Sequence, residues 1–183
     1  LLRDVGRFLG EVDAALLDFQ HPAMGRRLHW DLAHAADTIR SRFEHLGDPA
    51  QRALVARFLA EFEANAAPRL PQLRRSAIHS DGNDYNVLVT AVSDPPRRVA
   101  GLIDFGDMVY ACTVFDLAIA AAYVMLDKAD PLAAAGQLAA GYHAALPLSE
   151  LELELLYPLI VMRLCTSVVM SAYQQTLHPD DPY

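Results

Sequence analysis

The chain has 183 residues, 53% of them apolar and 21% charged, with a formal net charge of −8. That composition is globular rather than disordered, and the length suits one domain with a substantial core. An acidic balance speaks against a nucleic-acid partner, which would favour a basic face, and is compatible with a cationic small molecule.

The chain starts at Leu1, without a basic stretch or a continuous apolar segment that would read as a signal peptide, so a cytoplasmic piece of a longer protein is expected. Leu2, Val5, Leu9, Val12, Leu16 and Phe19 recur at helical spacing and predict a helix over 1–19, ended by His21-Pro22. A second helix is expected over 30–46, with Leu32, Ala35, Ala36, Ile39 and Phe43 inward. Asp48-Pro49 starts a third, running to about Ala66, with Leu54, Val55, Phe58, Leu59 and Phe62 as its stripe.

Next come an apolar run ending at His79, a polar loop with Asp81 and Asn86, and two β-rich runs, Asn86–Thr90 and Val99–Ile103. Ser93-Asp94-Pro95-Pro96 separates those two runs as a turn, so a hairpin is expected. Beyond it, 114–126 reads as a fully buried helix carrying Asp116. A helix over 131–145 follows, with Gly136 and Gly141 allowing close packing. Ser149 and Glu152 form a capping box for a last helix over 151–174 that contains Pro158. Its apolar length suggests a membrane span, but Arg163, Pro158 and several hydroxyls favour a buried helix, and no membrane is expected. The tail 178–183 is expected to be loose. Cys112 and Cys165 sit in apolar runs and read as buried thiols of an intracellular protein; a single disulfide between them stays open. The histidines at 21, 29, 34, 45, 143 and 178 show no metal-ligand spacing.

The stretch 77–107 carries the chemistry. Phosphoryl transfer needs metal-held phosphates and a nucleophile held in line. Mg²⁺ takes oxygen ligands, usually one or two carboxylates with phosphate oxygens and water. Asp104, at the end of the second β-run, supplies a carboxylate and Asn86 an amide oxygen. Asp81 can accept the proton of an attacking hydroxyl or orient it, and the turn formers Gly82-Asn83-Asp84-Tyr85 can curl to bring Asp81 and Asn86 together.

His79-x-Asp81-x-x-x-x-Asn86 followed by Asp104-Phe105-Gly106 resembles the catalytic-loop and metal-binding pair of the protein-kinase-like superfamily. Ser80 stands where protein kinases carry an arginine, and no Ala-Pro-Glu follows. Both departures point to the aminoglycoside phosphotransferase and choline kinase branch. Within it, Val5-Gly6-Arg7, Phe19-Gln20-His21-Pro22, Trp30-Asp31-Leu32 and Asn83-Asp84-Tyr85-Asn86 are most similar to hydroxylysine kinases and to the phosphotransferase domains of bacterial class III aminotransferase fusion proteins.

The resemblance implies a mainly α fold with a small central β-hairpin: the helical C-terminal lobe of the kinase-like fold. It implies Mg²⁺ and ATP or GTP, with Asp81 as base or substrate orienter and Asn86 and Asp104 as metal and nucleotide ligands. His79 takes a structural role, and Asp116 braces the loop through backbone N–H groups. Trp30, Asp31 and Tyr85 become substrate-pocket candidates by resemblance. Asp107 binds metal or substrate, or is a solvated loop residue; Arg163 faces the substrate pocket, or pairs with an internal acid. The glycine-rich cover and the phosphate-orienting lysine belong to an N-terminal lobe, and Lys128, the sole lysine, comes after the motif. The expected partners are therefore a small-molecule substrate, the missing lobe and a possible fused aminotransferase domain. A fragment lacking its lobe is expected to be inactive alone and could self-associate. Two function classes stand: a kinase of a small, amino-bearing alcohol, and a non-catalytic kinase-like module that binds a metabolite or a partner domain.

Overall fold

Asp4, on the first turn of the first helix, accepts the backbone N–H of Val99 at 2.7 Å, and so ties the chain's start to the middle of its central hairpin. That bond holds the Asp4 carboxyl below its ordinary value, helped by Arg7. The computed structural model describes residues 1–91, 93 and 95–179. Six α-helices lie within them: α1 (Leu2–Leu16), α2 (Ala35–Arg42), α3 (Pro49–Asn65), α4 (Val114–Val124), α5 (Pro131–Ala145) and α6 (Glu150–Leu177). Four short strands form two antiparallel pairs: β1 (Arg75–Ile78) with β4 (Val109–Cys112), and β2 (Val87–Val89) with β3 (Val99–Leu102). The mainly helical fold with a central hairpin is as expected. The β1–β4 pair is an addition, with Ala77 opposite Tyr110 and Ile78 opposite Val109. Asp94 of the expected turn and 180–183 of the expected tail lie outside the described residues.

α1 stops at Leu16, short of the expected end, because its buried stripe (Val5, Gly6, Leu9, Gly10, Asp13) finishes there; Phe19, expected inward, is exposed. The helix expected over 30–46 breaks into three pieces. Asp31 caps a 3₁₀ turn at Leu32–His34, α2 covers eight residues, and a second 3₁₀ turn follows at Phe43–His45. α3 starts under the Asp48 cap as expected, but it buries Val55 and Phe62 and leaves Leu54 exposed.

The core is built on α4, buried from Val114 to Ala122, and on α6, which packs against α2, α3 and α4. The capping box at Ser149 and Glu152 is present. Half of the most apolar 18-residue stretch of α6 is buried inside the domain, which accounts for its hydropathy without a bilayer. α1 crosses α5 so closely that a Cβ on Gly6 would lie 1.9 Å from the Leu138 carbonyl oxygen, and one on Gly141 2.0 Å from that of Arg3. Gly136, also expected at a contact, has open space around it. Both cysteines are buried free thiols, and burial pushes the Cys165 thiol up to about 11.

Candidate active site

β1 ends at Ile78 and hands the chain to His79, whose ring is fully buried. Its Nδ1 accepts the N–H of Asp81 at 3.2 Å and its Nε2 lies 3.0 Å from the carbonyl oxygen of Ile103. With Nδ1 accepting, Nε2 carries the proton and donates. The ring also packs edge-on against Phe105. His79 thus joins the loop to the end of β3. A second tie runs alongside: the Ile103 N–H donates to the Asn86 carbonyl at 3.0 Å. Asp104 is positioned by these two bonds on its neighbour.

Ser80, between His79 and Asp81, has φ 68°, a left-handed conformation that costs a non-glycine residue about 1–2 kcal/mol. Its N–H donates to Asp116 Oδ1 at 2.6 Å, and the Asp116 side chain is fully buried. Removing that acceptor strands a buried N–H beside a strained turn. Asp116→Ala is therefore expected to lower stability by about 1–3 kcal/mol, towards the upper end because the acceptor is a carboxyl group. Urea unfolding measures this, and an unchanged midpoint would mean that Asp116 is idle.

The polar loop curls as expected. Asn83, expected only as one of the turn formers, organises it: its Oδ1 accepts the N–H groups of Tyr85 and Asn86 at 2.8 and 3.1 Å, while its Nδ2 donates to Asp81 Oδ1 at 2.9 Å. Asn86 Nδ2 donates to Asp81 twice, to the backbone carbonyl at 2.9 Å and to Oδ2 at 2.7 Å. The amide nitrogen is spent on Asp81, which leaves Asn86 Oδ1, the better metal ligand of the two atoms, with no hydrogen bond among the described residues.

Asp104 also lies in the left-handed region, at φ 60°, and its Oδ1 accepts the Gly106 N–H at 3.1 Å, capping the short turn Phe105–Asp107. A Cβ at Gly106 would come within 2.8 Å of that oxygen, so a larger residue there would displace the Asp104 side chain. Two left-handed non-glycine residues bracketing one polar cluster is the pattern by which active sites store backbone strain. Arg26, also missed in the sequence, donates to the carbonyls of Gly106 and Met108 and clamps this turn from outside. Among the described residues no group of three or more His, Cys, Asp and Glu could hold a metal. Asn86 and Asp104 would therefore supply two oxygens, the rest coming from phosphate and water, which fits the habit of Mg²⁺.

Of the two readings for Arg163, the structure shows pairing with an internal acid, and that acid is Asp81. Arg163 is 3% exposed, its Nη2 lies 3.9 Å from Asp81 Oδ1, and it donates to the Trp30 carbonyl and the Tyr123 hydroxyl at 3.0 Å each. The rings of Trp30 and Tyr123 flank the guanidinium at 5.0 and 5.5 Å. Trp30 thus reaches the site as a wall of the arginine's slot. Asp31 spends its carboxylate on its own turn, accepting from Ala33 N at 2.9 Å, and Tyr85 is three-quarters exposed on the loop.

Burial holds the Asp81 carboxyl above its ordinary value; hydrogen bonds from Asn83 and Asn86 and the charge of Arg163 pull it back, and Asp107 pushes it up again. Asp107 is half-buried, and its charge raises the Asp81 carboxyl. A carboxylate with raised proton affinity, held by amides and backed by one cation, is suited to take a hydroxyl proton. Beside the loop lies a cleft of about 390 Å³, between the start of α1, Gly82–Asp84, Val87 and the end of α4 from Tyr123 to Lys128.

A sequence profile of the phosphotransferase enzyme family (APH) matches residues 1–151. The hydroxylysine kinase of Danio rerio is 31% identical over 187 residues, covering 99% of this chain and 52% of the relative. That of Mus musculus is 30% identical over 188 residues, covering 98% and 50%. The chain therefore spans about half the length of the curated relatives it matches. Among solved structures, it superposes on a microcompartment-associated aminopropanol kinase with a TM-score of 0.69 at 21% identity, over 96% of this chain and 58% of that one. It also superposes on amicoumacin kinase in complex with AMP-PNP, Ca²⁺ and Ami, with a TM-score of 0.65 at 15% identity, over 94% and 51%. A kinase-like fold shared with both structures, and a family match over most of its length, show that this chain belongs to the phosphotransferase enzyme family.

Proposed function

We propose that the chain is the catalytic lobe of a small-molecule kinase, moving the γ-phosphate of ATP or GTP to a hydroxyl of an amino-bearing acceptor of the hydroxylysine, aminoglycoside or homoserine kind. The observation that carries this reading is the pair of hydrogen bonds from Asn86 Nδ2 to Asp81, which supports a base and a metal-ligand oxygen acting side by side. The relatives named hydroxylysine kinase support the acceptor class.

In this reading Asp81 orients the acceptor hydroxyl and takes its proton as the oxygen attacks phosphorus. Arg163 balances the charge of Asp81 from behind. Asn86 and Asp104 would hold Mg²⁺, which when bound neutralises phosphate charge. The cleft beside the loop has the size of a small-ligand site; its wall carries Asp84, Asp127 and Lys128 but does not include Asp81, Asn86 or Asp104. The parts that cover the phosphates would lie in an N-terminal lobe outside these residues, with a fused aminotransferase domain as a further partner and the cytoplasm as the compartment.

The test is a coupled assay of the full-length protein with Mg²⁺ and ATP or GTP, against 5-hydroxylysine, an aminoglycoside, homoserine and choline. Metal-dependent transfer to one of the amino-bearing acceptors is expected. Nucleotide binding with no transfer to any of them would favour a non-catalytic binding module instead.

A further inference from the structure

Behind the active-site loop two acids meet in the core. Asp13 of α1 and Asp116 of α4 are both fully buried, on helices that pack against each other, and each carboxyl perturbs the other. Each has one oxygen with a donor: Asp13 Oδ2 accepts the Tyr142 hydroxyl at 2.5 Å, and Asp116 Oδ1 accepts the Ser80 N–H at 2.6 Å. Each has one oxygen with none, Asp13 Oδ1 and Asp116 Oδ2. Two orphaned buried oxygens on neighbouring carboxyl groups have one economical resolution, a hydrogen between them. We propose that Asp13 and Asp116 share a single proton, and that this acid–carboxylate pair locks the left-handed turn at Ser80 and so positions Asp81. The service to Asp81 rests on the function proposed above; the shared proton does not.

The charges around the pair support one proton rather than none. Tyr142 faces it from α5, and His79 and Asp81 from the loop. Arg74, the nearest guanidinium to act on Asp13, is engaged by Glu152 at 2.9 and 3.1 Å and by the Pro147 carbonyl. Among the described residues, no guanidinium that acts on the pair is free to neutralise it when doubly ionised, and like charges close together cannot both ionise cheaply in a low-dielectric core. Burial and the charge of Asp116 push the Asp13 carboxyl well above its ordinary value. Asp116 is raised by burial too, but the Ser80 N–H draws it back. The proton accordingly sits on Asp13 Oδ1 and is donated to Asp116 Oδ2, leaving Asp116 as the stronger acceptor for Ser80.

The sign of the linkage follows. The folded chain keeps a proton that the unfolded chain releases near the ordinary aspartate value of about 3.9. Stability falls as pH rises from there through the folded value. Asp13→Asn replaces the shared proton with an amide donor that does not titrate, while its Oδ1 still accepts from Tyr142. The folding equilibrium constant of the unmodified protein is expected to drop by up to about tenfold more per pH unit than that of the variant over this window.

The experiment is urea unfolding of both proteins across that pH range, with Asp13→Ala alongside. Asp13→Asn should retain the fold with a flatter pH dependence, and Asp13→Ala should lose stability at every pH. The unmodified protein gives an independent reading that requires no variant to fold. Its infrared difference between folded and unfolded forms at neutral pH should contain the carbonyl band of one protonated carboxylic acid. Parallel pH slopes, or the absence of that band, would overturn the proposal even if the kinase reading stands. Loss of transfer activity with the band present would leave the pair intact and count against the kinase reading.

Discussion

Asp104→Ala in the full-length protein should cut metal-dependent phosphoryl transfer by roughly 10³-fold or more, equivalent to about 4 kcal/mol of transition-state stabilisation. The carboxylate is exposed and makes one hydrogen bond, to Gly106 N, so little of the fold depends on it. The backbone at φ 60° is less comfortable for alanine than for aspartate, which should cost about 1 kcal/mol and leave cooperative unfolding intact. Activity and stability thus separate, and it is this separation that identifies a ligand rather than a structural residue. Asp116→Ala should show the opposite balance, with its main effect on stability. Turnover of Asp104→Ala within a few-fold of the unmodified protein would sink the assignment of Asn86 and Asp104 as the metal pair, since the two stand together at the ends of neighbouring strands.

The second large effect concerns these 183 residues by themselves. They contain the proposed base and both ligands, but no lysine precedes Lys128 and no glycine-rich turn precedes the loop. Phosphoryl transfer is mostly positioning and electrostatics, and oriented contacts contribute many orders of magnitude in rate. With phosphates held from one side only, the chain alone should bind nucleotide weakly and turn over negligibly, by calorimetry and a coupled assay. Leu1, Leu88, Val89, Ile103 and Phe105 are all exposed, and all but Leu1 lie on the hairpin or just after it. An apolar surface of this kind drives association when uncovered, so the isolated chain should also self-associate with rising concentration. Robust turnover from the monomeric chain would show that the site has been misplaced.

Why some of this was legible in the sequence and some was not has physical causes. The loop motif is local: His79, Asp81 and Asn86 lie within eight residues, and the Asn83 side chain closes the turn between them without help from elsewhere. Helix starts are local too, and the caps at Asp48 and Ser149 appear where the residues put them. β4 was not legible because its four residues are a strand only by pairing with β1, more than thirty positions earlier. Asp13 was missed because an acid in an amphipathic helix looks the same facing in or out. Leu9, one turn before it on the buried stripe, was the available hint, but Asp116 supplies the reason and sits a hundred residues away. Arg26 lies in a loop whose course only the fold defines. The helix expected over 30–46 breaks where the backbone leaves helical values at His34 (φ −112°, ψ 11°) and Arg42 (φ −125°, ψ 5°), which apolar periodicity does not mark.

The most direct test of the central claim is where the metal–nucleotide complex sits. A ¹⁵N-labelled chain titrated with Mn²⁺ and a non-hydrolysable ATP analogue gives this even when binding is weak, because paramagnetic broadening reports proximity rather than affinity. The predicted result is early loss of the Asn86 side-chain amide signal and of the backbone signals from Asp81 to Asn86 and from Asp104 to Gly106, all dependent on nucleotide. Broadening centred elsewhere, for example on Asp127–Asp130, with Asn86 and Asp104 still sharp, would contradict it.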